Sequence, residues 1–177
     1  SASVYGKIHS EYGYLKGTIN PLNFYALSKA TVDYWVMDNM DRFEQVQGFR
    51  YFNVYGEGEE HKGDQASPIS KFTLQAKQNK IIKIFEDSEY SFRDFVWVGD
   101  VVDVVLDNTA GSGIYDVGTG NPISFLEIAE LIAKKEGAEI EVIPFPKHLE
   151  GKYQEYTCAD TSWYSHDYSE VKSYLQA

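Results

Sequence analysis

The pattern with the most direct chemical content is Tyr25-Ala26-Leu27-Ser28-Lys29. On a helix, positions four apart share a face, so a phenol and an ammonium at this spacing can address one ligand. A neighbouring cation favours phenolate over phenol, as proton transfer near neutral pH requires. The spacing alone discriminates poorly, because Tyr12/Lys16 and Tyr168/Lys172 repeat it. Context separates the three. Tyr12 lies in a Gly-rich loop and Tyr168 in a weakly periodic tail, whereas Tyr25 opens a long helical pattern just after Pro21. The competing reading of Tyr25 and Lys29 is a surface ion or cation–π pair.

The elements that must position these side chains alternate between helix and strand. Residues 1–20 read as a strand end and a loop. A helix is predicted over 24–42, with Leu27, Thr31, Tyr34, Trp35 and Asp38 at three-to-four spacing and the apolar members on one side. Residues 46–54 are β-rich and run into the Tyr55-Gly56-Glu57-Gly58 turn. A second helix is predicted over 67–79, with Pro68 in its first turn. Strands follow at 81–85 and 95–98, and Asp100 is read as the cap of a helix through Leu106. A strand at 114–117 closes at Gly118-Thr119-Gly120. Ser124 with Glu127 then forms a capping box for a helix ending near Gly137, and a strand is predicted at 140–143. This alternation predicts an α/β chain with a parallel component.

Bulk properties narrow the function classes. The chain has 177 residues and a formal net charge of −11, which disfavours broad binding to nucleic acid or anionic membranes. Hydrophobic residues make up 43% and aromatic residues 15%, too much apolar surface for a disordered chain. No apolar run approaches the roughly 20 residues that span a bilayer. The lone Cys158 makes no internal disulfide, and the four scattered His give no metal-ligand spacing, so no metal site is expected. A reducing, cytoplasmic setting is the default reading. No Gly-x-Gly-x-x-Gly turn joins a strand to a helix, so a recognisable dinucleotide-phosphate cradle is missing from this sequence.

The residues around the Tyr/Lys pair form a more specific set. Ser1-Ala2-Ser3-Val4-Tyr5-Gly6 precedes the Tyr-x-x-x-Lys helix, and Arg50-Tyr51-Phe52-Asn53-Val54-Tyr55-Gly56 follows it. Then come Arg93-Asp94-Phe95-Val96, Val98-Gly99-Asp100-Val101 and Tyr115-Asp116-Val117-Gly118-Thr119-Gly120. Together these blocks resemble nucleotide-sugar epimerases and dehydratases of the extended short-chain dehydrogenase/reductase superfamily. His61-Lys62-Gly63-Asp64-Gln65-Ala66-Ser67, with Pro144-Phe145-Pro146 and Gly151-Lys152-Tyr153-Gln154, narrows the resemblance to the ADP-L-glycero-D-manno-heptose 6-epimerases.

That resemblance implies the C-terminal part of a Rossmann-like fold with a small substrate-binding domain. Residues 1–60 would be the end of the nucleotide fold. Residues 61–177 would be mainly substrate domain, with the chain crossing back to the Rossmann sheet. A Gly-rich cofactor half would precede Ser1, so this polypeptide alone is expected to lack turnover. The family oxidises its ADP-heptose at C6 with bound NADP (NAD being the alternative cofactor), then returns hydride to the opposite face. It serves lipopolysaccharide-core precursor synthesis and forms homo-oligomeric, pentameric rings.

Carried over by position, Tyr25 and Lys62 become the acid/base pair, and Ser1 a hydrogen-bond partner of the reacting hydroxyl. Lys29, Val54 and Lys62 become cofactor contacts. Asn53, Asp64, Lys71, Phe85, Glu86, Asp87, Ser88, Arg93 and Tyr153 become substrate contacts, Arg93 because its fork suits a diphosphate. Without the resemblance, Lys62 reads as a solvated lysine in an acidic loop and Arg93 as the ion-pair partner of Asp94. Asn53 then reads as turn chemistry, and Tyr153 as either core or site. The sequence departs from the family at Asp64, usually Ser, at Lys71, usually His, and at Asp87, usually Gly. Asp64 would oppose a diphosphate unless Lys62 or Lys71 offsets it. Asp64 and Asp87 keep open a UDP- or dTDP-hexose 4-epimerase or 4,6-dehydratase, and the missing phosphate cradle keeps open a non-catalytic substrate-binding fragment.

Overall fold

The structure is a computed structural model describing residues 1–6 and 18–176. The Tyr12/Lys16 pair and most of the loop read for 7–20 lie outside the described residues.

The first helix, α1 (Phe24–Asp38), starts where the Asn23 side chain accepts from the Ala26 N–H at 2.9 Å. It is shorter than the sequence pattern predicts. Asn39 leaves helical geometry and donates to the Val36 carbonyl, and Met40–Arg42 form a separate 3-10 turn. The buried side of α1 is Ala26, Ala30 and Asp33, small residues that let it approach the first turn, Ala2–Tyr5, closely. The apolar stripe of Leu27, Tyr34 and Trp35 is exposed instead.

The β-rich run after α1 is two strands, β1 (Gln47–Tyr51) and β2 (Asn53–Tyr55), broken at Phe52. The break has a hydrogen-bonding cause. The Phe52 N–H donates to Val117 and the Asn53 N–H to Asp94, so the chain changes partner strand at this residue. β3 (Ile81–Phe85), β4 (Phe92–Arg93) and β5 (Phe95–Trp97) follow, then β6 (Gly113–Val117), β7 (Ile123–Ser124) and β8 (Glu139–Ile143). β1 pairs with β6, β2 with β5 and β3 with β8, all in parallel, and β4 pairs with β7 antiparallel.

Two helices cover β3. α2 (Pro68–Asn79) begins at Ser67, whose Oγ accepts from the Ser70 N–H at 3.2 Å. α4 (Phe125–Glu136) begins at Ser124, whose Oγ accepts from Glu127 at 3.1 Å, and ends at Gly137 with φ 62°. The Glu127 carboxylate pairs with Lys172 at 2.6 Å. Ile69, Ala76, Ile82, Ile84, Ile128 and Ile132 form the main core between these elements. A smaller core joins Ala2, Val4, Tyr5, Ala30, Phe52 and Ala159.

The Asp100 expectation is corrected. α3 (Val98–Asp107) starts three residues earlier, with Trp97 at its cap position. Asp100 lies inside the first turn, buried, and accepts from the Ser169 N–H at 2.8 Å with His166 Nε2 at 3.3 Å. It therefore clasps the C-terminal tail, whose helix α5 (Val171–Gln176) docks on α4. Among the described residues no helix is long and apolar enough to cross a membrane.

Candidate active site

A cavity of about 530 Å³ opens between α2, the end of β3, β4 and the segment around Tyr153. Asn53, Lys71, Phe85, Ser88, Arg93 and Tyr153 line it, six of the residues nominated from sequence. Phe72, Gln75, Lys83, Phe125 and Ile143 line it as well and escaped sequence reading. A helical 3.6-residue period marks Phe72 and Gln75 only as α2 surface, and Lys83 only as the outward residue of a strand.

Arg93 is the buried cation that lines this cavity. Its guanidinium is buried, donates to the Phe92 carbonyl at 2.8 Å and to the Gln154 carbonyl, and sits 4.9 Å from the Tyr153 ring and 5.3 Å from the Phe125 ring. Burial holds its pKa below the ordinary arginine value, with Tyr153 and Glu155 countering. A cation held by neutral carbonyls and ring faces keeps electrostatic capacity for an anionic ligand. Tyr153 continues as an aromatic wall through Phe145, ring centroids 5.4 Å apart, to Phe85 at 5.6 Å.

The Arg93–Asp94 ion pair does not form as the principal contact of Asp94. That carboxylate is fully buried and accepts from the Thr119 and Gly120 N–H groups at 2.8 Å, the Thr119 hydroxyl at 2.7 Å and the Ala159 N–H at 2.9 Å. Asp94 fastens the β6 turn and the tail to β4, leaving Arg93 to the cavity.

Ser1, Tyr25, Lys29, Val54, Lys62, Asp64, Glu86 and Asp87 do not line the cavity. Tyr25 and Lys29 project from α1. Tyr25 is 60% exposed, and the Lys29 Nζ lies 5.2 Å from its ring centroid, so the cation–π reading holds geometrically while both polar tips face outward. Ser1 caps the first turn, its Oγ 3.0 Å from that of Ser3, and this turn packs on α1. Val54 is half-buried in β2.

Lys62 stands on a 3-10 turn, Glu60–Gln65, kinked at Gly63 with φ 51°. Its Nζ pairs with Glu59 at 3.3 Å while the side chain stays 42% exposed. Lys71 Nζ donates to the Asp64 backbone carbonyl at 3.3 Å. Lys62 thus meets the Glu59 carboxylate, and Lys71 the Asp64 backbone carbonyl. Asp87 takes φ 61°, a left-handed geometry that glycine adopts without strain, and Ser88 Oγ donates to the Phe85 carbonyl at 2.6 Å.

A buried network under α1 was not anticipated. Arg50 donates from Nε to Asp33 at 2.8 Å and from Nη1 to the Tyr5 hydroxyl at 2.8 Å, and that hydroxyl donates to Asp116. Burial pushes the Asp116 carboxyl up, only partly opposed by the Asp160 N–H, Tyr5 and Arg50. Arg50 within β1 and Asp116 within β6 were the available signal. The tail brings Asp100, Asp103 and His166 donor atoms within 4.8 Å of one another, a juxtaposition that spacing did not reveal.

Comparison with known proteins places the chain in a family. The NAD dependent epimerase/dehydratase family matches residues 1–118. The chain belongs to that family. A relative described as ADP-L-glycero-D-manno-heptose-6-epimerase, from Brachyspira hyodysenteriae, is 45% identical over 169 residues, covering 90% of this chain and 52% of the relative. The Helicobacter pylori enzyme of the same name matches in structure with a TM-score of 0.71 at 30% identity, over 88% of this chain and 48% of that one. Thermus thermophilus UDP-glucose 4-epimerase, solved with NAD, shares the fold with a TM-score of 0.75 at 20% identity, over 98% of this chain and 58% of that one. The chain spans about half the length of the relatives it matches. The Rossmann-like, extended short-chain dehydrogenase/reductase fold class expected from sequence is borne out.

Proposed function

We propose that this chain is the substrate-side part of an NADP-dependent epimerase that inverts C6 of an ADP-heptose, a cytoplasmic step in lipopolysaccharide-core precursor synthesis carried out by a homo-oligomer. The cavity around Arg93 carries the reading: six residues nominated for the substrate line one space whose buried cation suits a diphosphate. The 45% identity to the Brachyspira relative supports the ADP-heptose substrate over other nucleotide sugars. The division into a nucleotide-fold part, 1–60, and a mainly substrate part, 61–177, is supported by β6 returning to pair with β1.

The exposed phenol and ammonium of Tyr25 and Lys29 fit the ribose end of a nicotinamide cofactor, since a diol offers oxygens to both. When bound, that cofactor supplies hydride acceptance and return at C6. Lys29 and the half-buried Val54 hold it against α1 and β2. Tyr25 moves the proton of the C6 hydroxyl, and Ser1 Oγ donates a hydrogen bond to the same oxygen. Lys62, on a separate loop, serves the opposite face of the sugar and reaches the cofactor edge. Asn53, Lys71, Phe85, Ser88, Arg93 and Tyr153 seat the ADP-sugar, and Asp64, Glu86 and Asp87 border it.

The full-length protein is therefore expected to interconvert the two C6 epimers of ADP-glycero-manno-heptose, observed by NMR, and to leave UDP- and dTDP-hexoses unchanged. Equal turnover of a UDP-hexose would replace this reading with a 4-epimerase or dehydratase. Epimerisation undiminished in Lys62→Ala would remove Lys62 from the acid/base pair.

A further inference from the structure

Glu59 is a carboxylate at 6% exposure immediately before the Lys62 loop. Its Oε1 accepts from the Ser67 N–H at 3.0 Å and from Lys62 Nζ at 3.3 Å, and its Oε2 accepts from the Ser67 hydroxyl at 2.5 Å. Ser67 Oγ in turn accepts from Ser70 at the start of α2. One buried carboxylate thus joins the end of the Lys62 side chain to the capped first turn of a helix. A buried carboxylate is stable only when hydrogen-bonded and counter-charged, and here Lys62 supplies the charge.

The backbone between the two residues is fixed too. The Lys62 N–H donates to the Glu59 carbonyl at 2.9 Å, and the Ala66 N–H donates to Gly63 at 3.0 Å across the kink. The side chain of Lys62 nevertheless stays 42% exposed, so its ammonium is tethered while remaining reachable.

We propose that Glu59 is a positioning residue: it holds the Lys62 ammonium in one place against the α2 N-terminus, and acts on the reaction only through Lys62. The proposal rests on the reading of Lys62 as a substrate-side acid/base group. Substituting Glu59→Gln separates anchoring from charge. The amide can keep both Ser67 bonds, because Ser67 Oγ accepts as well as donates, but it lacks the charge that retains an ammonium.

The test uses the full-length protein and reads Lys62 directly, by reductive methylation followed by peptide mass spectrometry. In the wild type, Lys62 should label about 3-fold or more slowly than the exposed Lys152, as expected for a half-exposed ion pair. In E59Q the two should label within about 2-fold of each other. Equal rates in the wild type overturn the proposal without any variant, even if E59Q fails to fold. Unchanged Lys62 labelling in a folded E59Q overturns it as well. In turnover, E59Q should lower kcat about 10-fold with KM within about 2-fold, as misplacement of a reacting group does. An unchanged kcat in E59Q, with K62A inactive, overturns the positioning role alone. A fully active K62A overturns the acid/base reading of Lys62 and this role with it.

Discussion

Arg50 and Arg93 are equally buried, at 8% and 7% exposure, yet they are held in opposite ways. Arg50 meets the Asp33 carboxylate and the Tyr5 hydroxyl. Burial alone would lower its pKa, but these partners outweigh it and raise it. Arg93 meets two carbonyls and two ring faces, and burial lowers its pKa. The first cation is consumed by the fold, fixing the Asp33 side of α1 to β1 and β6. The second is desolvated, with burial outweighing Tyr153 and Glu155, and lines a cavity. Burial of an arginine therefore says little until its partners are known.

The contrast can be broken most forcefully at Arg50. Arg50→Met should cost about 3–5 kcal/mol of stability in urea unfolding, because it strands Asp33 and Asp116 without their cation. A cost equal to that of Arg93→Met would dissolve the distinction. Arg93→Met should instead weaken binding of ADP-glucose by about 10- to 100-fold in calorimetry, while costing no more than about 2 kcal/mol of stability. Unaltered affinity would take Arg93 out of the site.

Asp116 sharpens the description of the Arg50 side. Its folded pKa is raised by burial, so the folded protein binds that proton more readily than the unfolded chain. Its ionised form then carries a cost that is felt above the raised pKa and vanishes below the ordinary carboxylate value. The stability of the wild type relative to Asp116→Asn should fall as pH rises through that window, and a rise would contradict the assignment. A smaller effect is expected at Tyr55, whose hydroxyl is buried and finds no partner among the described residues. Tyr55→Phe should be neutral or stabilising by about 1 kcal/mol, and a loss of that size would reveal a missing hydrogen bond.

The sequence carried the architecture further than the site. Pro68, Ser124 and Gly137 announced helix ends through local chemistry, and the structure keeps all three. The break at Phe52 was invisible because it depends on which distant strand each N–H meets. The Leu27/Tyr34/Trp35 stripe was readable as a face, but periodicity cannot say whether anything covers it. At the site, the motif blocks brought Asn53, Phe85, Ser88, Arg93 and Tyr153 to one cavity. Glu59 was lost among the acidic residues of its loop, since only burial distinguishes it from its neighbours. Lys83 and Phe72 were lost because their partners lie in other elements.

The parallel pairing of β1 with β6 and of β3 with β8 also governs how this chain can assemble. Gln47 waits for Gly113, and Ile81 waits for Glu139, so neither ladder can close as a local hairpin. Loop closure must precede most of the reward, which slows folding relative to helical chains of this size. During synthesis β3 emerges with Ile82 and Ile84 well before α4 and β8 exist to cover them. α2, adjacent in sequence and packed on β3, is the element available to shield that strand in the interval. The Ser67 cap that starts α2 therefore serves assembly as well as architecture, and weakening it should raise aggregation during refolding more than it lowers final stability.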